Sequence, residues 1–429
     1  VITYSNISDG YVTNYKTVKD ILITDKSGIN TTEGTKPRLY YKKLTDNNEF
    51  NDNTNATQGW KFVEALSSKG TFEFVIDFAK LNSYPLTVGD IIQYFVIAQD
   101  LADTPNLTIN TGTLNAVASS VNLASNNFPI GGTLKSFLIR EGVQGEYLVG
   151  AGETYTTLTG TDGIFNKINN SVVTGNITIK ITSDLTETGA IALNEFDNNF
   201  SVTIKPNSEG LKTITGAYAG GLIRFNGADN ITIDGRYNDT GNNFTFFNNS
   251  SSYSSLAVLQ FISKGVGQGS QNNTVRNCNI YTLSFSAGGT GIYVGDDSPT
   301  VDSSGADNDN YTIVENNIYR CRYGIVVLGK STGINNNITI ENNSIGYKQL
   351  NNHFIGKYGI YLKEADGVTI NKNNIFNEID NNTNMGRINA ILLSTGVQNC
   401  NITKNNIYNV YAKSSSNSLG ASGIEINTG

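Results

Sequence analysis

The sequence predicts an all-β protein: a β-sandwich over 1–140, then a right-handed parallel β-helix over 174–429. Three observations predict it. Two short phrases alternate at a near-constant period through the C-terminal half. The first 140 residues break into short alternating strands with no convincing helix. About 60 of the 429 residues are asparagine, a bias that a repeated turn position would explain.

The N-terminal strands are 18–24 (VKDILIT), 38–42 (RLYYK), 60–64 (WKFVE), 72–78 (FEFVIDF) and 91–98 (IIQYFVIA), separated by pieces such as TDNNEFNDNTNATQG. Four of the six prolines, Pro37, Pro85, Pro105 and Pro129, fall between these strands, where a missing N–H costs no ladder bond. In GDIIQYFVIAQD the period of two puts Tyr94, Val96 and Ala98 on one face. A tyrosine there is compatible with the corner of immunoglobulin-like sandwiches. Residues 141–173 read as a linker and a capping helix. Ile164, Phe165 and Ile168 recur at helical spacing in TGTDGIFNKINN, with Thr161 or Asp162 as the N-cap.

The first phrase recurs as TGIYVGDD, YGIVVLGK, YGIYLKEA, NAILLSTG and SGIEINTG. Its isoleucines, Ile292, Ile325, Ile360, Ile391 and Ile424, are 33, 35, 31 and 33 residues apart. The second recurs as VRNCNIY, VENNIYR, IENNSIG, INKNNIF and ITKNNIY around Ile280, Ile318, Ile345, Ile375 and Ile407, and weaker copies lie upstream at 221–235 and 256–263. Within each phrase the period is two, so the repeat is built of strands, and coils should stack at about 4.8 Å. Three consequences follow. The first-phrase isoleucines form one buried column. Cys278, Asn316, Asn343, Asn373 and Asn405 form another, where asparagine tolerates left-handed backbone and its amide bonds to the amide one coil up. Tyr281, Tyr319, Phe376 and Tyr408 form an aromatic column. SGIEINTG begins a further strand without a cap, so the solenoid is expected to continue beyond it.

These repeats resemble the parallel β-helix family that includes pectate-lyase-like proteins. With GTKPRLYYKK, ATQGWKFVEA, VGDIIQYFVIAQD and FPIGGTLKSFLI, the whole chain resembles secreted multidomain surface proteins of Bacteroidetes. That resemblance implies export by the type IX system and a location outside the cell or on its surface. No signal peptide is visible before the strand-like run Val1–Tyr4, so an export signal would precede it. The shared motifs specify strands and turns, and a shared fold carries no activity with it.

Composition narrows the function. Lys+Arg number 30 and Asp+Glu 37, giving 30 − 37 = −7. No basic footprint exists for nucleic acid, and no apolar run reaches the roughly 18 residues of a membrane span. The three cysteines, Cys278, Cys321 and Cys400, are scattered and odd in number, which suits small buried side chains rather than a disulfide framework or zinc site. His353, the single histidine, has no nucleophile elbow near it.

Three features could carry a ligand. The segment GDDSPTVDSSGADNDN holds Asp296, Asp297, Asp302, Asp307 and Asp309, oxygen ligands that could bind calcium, although the spacing is not an EF-hand. Asp296 and Asp297, then Lys330, then Lys363 and Glu364 follow the first-phrase isoleucines on three successive coils. In a polysaccharide lyase such a column would neutralise a uronate and abstract its C5 proton; in a glycosidase Asp297 and Glu364 would be the carboxylate pair. A charge ladder on a wet sheet needs neither, and Glu315, Glu341, Lys372 and Lys404 read as another such ladder. Arg320 and Arg322 are candidate anion binders. Finally, the outward file Tyr293, Val326, Tyr361, Leu392 and Glu425 is mostly apolar, so it is covered by loops such as 346–359, 376–389 and 408–422 or it stacks sugars through Tyr293 and Tyr361. The sequence therefore points to a structural or adhesive module whose partners are polysaccharide or neighbouring domains of its own chain. A β-helix lyase or hydrolase acting on acidic polysaccharide is the alternative.

Overall fold

A computed structural model describes residues 1–427 except 5, 67–70, 198, 253–254, 284–287, 347–353, 381–386 and 413–419. His353 lies outside the described residues. The chain forms two compact units, Val1–Gly142 with Asn170–Val172, and Val143–Asn169 with Val173–Gly429.

The first unit contains two sheets. Ile2–Thr3, Tyr15–Ile23 and Thr71–Asp77 form one; Gly10–Tyr11, Lys135–Arg140, Ile91–Gln99, Arg38–Lys43 and Lys61–Glu64 form the other, with Leu107–Ile109 beside Ile91–Gln99. Alternation sends Phe72, Phe74 and Ile76 from the small sheet against Leu39, Tyr41, Tyr94, Val96 and Phe137 of the large one. Tyr94, Val96 and Ala98 do share that face, and the Tyr94 hydroxyl accepts the Ile7 N–H at 3.3 Å. The other face of the large sheet is also buried: Tyr40, Trp60, Phe95 and Ile97 lie under Val121, Leu123, Phe128 and Ile130. Two covered faces explain why IIQYFVIA is apolar almost throughout.

The second unit is a parallel β-solenoid of about eight turns. One sheet runs through Val172–Ile181, Val202–Pro206, Ile231–Asp234, Thr274–Arg276, Tyr311–Val314, Ile338–Glu341, Thr369–Asn371 and Asn401–Thr403, with Gly142–Val149 bonded at its start. Its inward column is Ile179, Ile204, Ile233, Val275, Ile313, Ile340, Ile370 and Ile402. Val275, Ile340, Ile370 and Ile402 open four copies of the second phrase, so this column belongs to the same repeat. The expected columns are in register. Ile223, Leu259, Ile292, Ile325, Ile360, Ile391 and Ile424 pair in turn. So do Ile280, Ile318, Ile345, Ile375 and Ile407. Ile292, Ile325, Ile360 and Ile391 are fully buried, and Ile424 is 47% exposed.

The asparagine ladder is internal. The Asn316 N–H and Nδ2 donate to Asn343 Oδ1 at 3.0 and 3.1 Å. Asn343 repeats this to Asn373, and Asn373 to Asn405. Each Nδ2 also reaches a main-chain carbonyl of the first sheet, as Asn343 does to Ile313 at 2.8 Å. The left-handed residues stand one place earlier than expected, at Asn277, Glu315, Asn342, Lys372 and Lys404, with φ from 53 to 58°. The asparagines therefore recur for their amides, and the turn in front of them tolerates Glu and Lys. That shift also corrects the second charge ladder. Glu341 aligns with Val314 and Asn371 rather than with Glu315, although its carboxylate still meets Lys372 Nζ at 3.2 Å. In the aromatic column Tyr281 stacks on Tyr319 at 5.0 Å and Phe376 on Tyr408 at 5.0 Å.

Residues 143–169 belong to the solenoid unit. The helix, Ile164–Asn169, buries Ile164, Phe165 and Ile168 in the solenoid core, with Phe165 6.0 Å from Phe225. Its start puts the cap position on Gly163 rather than on Thr161 or Asp162, and the Ile164 and Phe165 N–H groups donate to the carbonyls of Thr157 and Leu158. Cys278 and Cys321 are buried; desolvation pushes the Cys321 thiol up to about 12, out of the reactive range.

One ionic cluster lies on the outside of the first sheet. Asp234 accepts from Arg236 at 2.9 and 3.0 Å and from Arg276 at 2.7 Å. Burial raises its carboxyl, but the two guanidinium groups outweigh burial and hold it below the ordinary 3.8. A depressed folded value stabilises above the unfolded value and is lost as pH falls through the folded one. Asp234→Asn should therefore cost about 2 kcal/mol at pH 7, discounted for the partial exposure of both arginines. Urea melts of the two proteins should converge only as pH falls through the depressed folded value of Asp234; a gap that persists below it would mean the cost is packing rather than charge.

Candidate ligand-binding face

The strands Gly221–Asn226, Leu256–Ile262, Gly289–Gly295, Cys321–Leu328, Ile355–Lys363, Ile388–Leu393 and Ala421–Ile426 form one parallel face. Its outward file runs Arg224, Gln260, Tyr293, Val326, Tyr361, Leu392, Glu425. The expected members are there, and Arg224 and Gln260 extend the file upstream. Counting back through GLIRFNG and LAVLQFIS would have found them, but those copies are too diverged to announce the register.

Segment 296–304 lies across this file. Gln260, fully buried, donates through Nε2 to the carbonyls of Asp296 and Asp297 at 3.0 Å each. The Tyr293 hydroxyl donates to the Ser303 carbonyl. Tyr293 and Val326 are consequently buried, and Tyr293 cannot present its ring to a sugar. The acidic segment covers Tyr293 and Val326; of the longer loops expected to supply a cover, residues 347–353, 381–386 and 413–419 lie outside the described residues. Tyr361 remains half exposed, with Tyr358 at 5.2 Å and Tyr323 a further 5.5 Å beyond. The aromatic surface is thus Tyr358 and Tyr361.

Segment 296–304 leaves a depression on either side. The larger, about 480 Å³, gathers Asp296, Asp302, Lys330, Lys363 and Glu364. Four of the five residues of the three-coil charge column therefore do converge. No ion pair joins them within 4.0 Å, and Ser304 Oγ, buried in the wall, has no hydrogen-bond partner. The Glu364 carboxylate lies over Gly396, where a Cβ would come within 2.0 Å of it. Burial pushes the phenols of Tyr358 and Tyr361 up, and both also feel the negative charge of Asp302; Tyr361 lies two residues before Lys363 on one strand.

Asp297 departs from the column. It lines the smaller depression, about 300 Å³, with Tyr218, Arg224 and Ser255. Asp297 and Glu364 therefore do not face one cleft as a glycosidase pair. The five aspartates also separate: Asp307 accepts the Gly267 N–H at 2.6 Å, and Asp309 accepts the Asn336 N–H at 2.6 Å. Among the described residues no three acidic, histidine or cysteine side chains are grouped to hold a metal ion. Arg320 is a left-handed turn residue. Arg322 is buried, with Nε on the Tyr323 hydroxyl at 3.1 Å. Neither lines the two depressions.

No family model and no curated protein matches this chain. Among solved structures it is similar to an alginate lyase from Paenibacillus sp. (12% identity, TM-score 0.27, 59% of this chain and 93% of that one). It is also similar to the pectate lyase Pel9A (12%, 0.27, 65% and 80%) and to a family 28 exopolygalacturonase from Yersinia enterocolitica (10%, 0.24, 100% and 98%). Likeness at this level carries no argument about fold, substrate or activity; the parallel solenoid rests on the strand pairing of this chain itself. Among the described residues no helix is long and apolar enough to cross a membrane.

Proposed function

We propose that this chain is a non-catalytic glycan-binding module of an exported surface protein, with an immunoglobulin-like first domain and a right-handed β-helix as a stiff display rod. The observation that carries the reading is the composition of the larger depression. Three carboxylates, Asp296, Asp302 and Glu364, face two ammonium groups, Lys330 and Lys363, and Tyr361 stands two residues before Lys363 on the same strand. A lyase must neutralise the uronate carboxylate before its C5 proton becomes acidic. A wall whose acids outnumber its bases opposes that. Mixed, unpaired donors and acceptors next to an aromatic surface suit the hydroxyls and the apolar face of a neutral sugar. An outside location agrees with this chemistry and with the polar, asparagine-rich coils.

The test is retention on immobilised neutral and acidic polysaccharides, with absorbance at 235 nm followed for unsaturated product. The expected result is binding to a neutral glycan without product. Tyr361→Ala should weaken it about tenfold, the loss of one stacking contact of about 1.4 kcal/mol. Turnover of pectate or alginate that disappears in Lys330→Ala with an unchanged melting temperature would instead make this depression a lyase site.

A further inference from the structure

The smaller depression is built around one arginine. Arg224 Nη2 donates to the carbonyls of Gly189 and Ala190 at 2.8 and 3.0 Å. Its guanidinium sits 5.0 Å from the centroid of the Tyr218 ring. Gly189 is left-handed, with φ of 67°, and a Cβ there would lie 2.4 Å from that ring. Only glycine at this place lets the chain close on Tyr218 and bring its carbonyl to Arg224. The guanidinium is therefore held from two sides, yet among the described residues no carboxylate lies within ion-pair distance of it. Arg38, Arg140, Arg236, Arg276 and Arg387 each have one. Its Nε is buried and has no protein acceptor. A buried donor left without an acceptor is costly, and a charged one more so. Asp297, on the rim, is the acidic side chain lining this depression.

We infer that the Arg224 depression is an oxyanion site, taking the carboxylate or sulfate substituent of a sugar. A planar guanidinium fixed by carbonyls and a ring has already lost its rotamer freedom, so an oxyanion gains the charge-assisted bonds at little further entropic cost. The Gly220–Gly221 pair beside Arg224 carries no side chains to stand over it. Gln260 contributes position rather than contact: it bonds the Gly221 N–H at 3.1 Å on one side and segment 296–304 on the other. Arg224 is three coils before Val326 in the outward file, about 14 Å at 4.8 Å per coil. The inference goes beyond the proposed function and does not require it, because the acidic group can be read with monosaccharides alone.

Titration of the whole chain with glucuronate, glucose 6-sulfate and methyl glucoside tests it, by calorimetry at low salt. The two acidic probes should bind saturably through Arg224, whereas any binding of methyl glucoside at the larger depression should not depend on Arg224. Arg224→Gln should weaken acidic binding at least tenfold, while Lys330→Ala and Tyr361→Ala leave it unchanged. Tighter glucuronate would identify a uronate polymer, tighter glucose 6-sulfate a sulfated one. If Arg224→Gln does not fold, phenylglyoxal labelling of Arg224 in the unaltered protein serves instead, with protection expected from the acidic probes alone. Equal binding by unaltered protein and Arg224→Gln, equal loss in Lys330→Ala, or no saturable binding of either acid would overturn the site. Loss of neutral-glycan retention in Tyr361→Ala reports only on the larger depression, so the two readings fail separately.

Discussion

Asn343→Ala is expected to destabilise the solenoid by about 3–5 kcal/mol, the largest effect of any single truncation in the ladder. Asn343 is 1% exposed. Its Oδ1 accepts two bonds from Asn316, and its Nδ2 donates to Ile313, Glu341 and Asn373. Truncation leaves the Asn316 N–H without its acceptor and takes a donor from the Ile313 carbonyl, in a place water does not reach. Each orphaned group costs about 1–3 kcal/mol, and the missing amide adds a small void. Bonds that polarise one another along a ladder make the total exceed a sum over isolated pairs. Asn405 holds the same position at the end of the ladder and is only half buried. Water can replace its amide, so Asn405→Ala should cost about 1 kcal/mol. Denaturant midpoints, with hydrogen exchange of the coils on either side, separate the two. Equal costs at 343 and 405 would show that the ladder is not cooperative and that burial is not what sets its worth.

Ile360→Ala should cost about 2–5 kcal/mol by leaving a cavity between Ile325 and Ile391, the residues stacked above and below it. The backbone cannot collapse into that space, because the strand is paired to both neighbours from Tyr358 to Leu362. Because each coil touches only its neighbours, the loss should appear first as local opening around the substituted coil, seen as faster amide exchange there than in Ile179–Ile204. Uniform loss of protection along the whole solenoid would mean that it unfolds as one unit.

The columns were legible in the chain because a parallel coil turns a linear period into a spatial one. Residues 27–35 apart come to lie about 4.8 Å apart, side chains of equal phase share a face, and one misplaced isoleucine would expose every other in its strand. Ile292 to Ile424, Asn316 to Asn405 and the outward file from Tyr293 to Glu425 were readable for that reason. The turns resisted the same reading. The left-handed position was misplaced by one residue, onto the asparagines, because Asn favours both that backbone and the ladder; only the bonding pattern separates the two roles. Asp296 and Asp297 are neighbours in sequence, yet they face different depressions because their carbonyls share one buried donor, Gln260, three dozen residues earlier. Segment 296–304 follows no period, so its path over Tyr293 depended on that contact and on the Tyr293 hydroxyl. Arg224 is a solvated arginine when read along the chain. It becomes a held, unpaired cation once Gly189, Ala190 and Tyr218 are folded against it. Periodic stacking is encoded locally and repeated, so the chain displays it; the meeting of aperiodic loops depends on single long-range contacts, which leave no repeated mark in the chain.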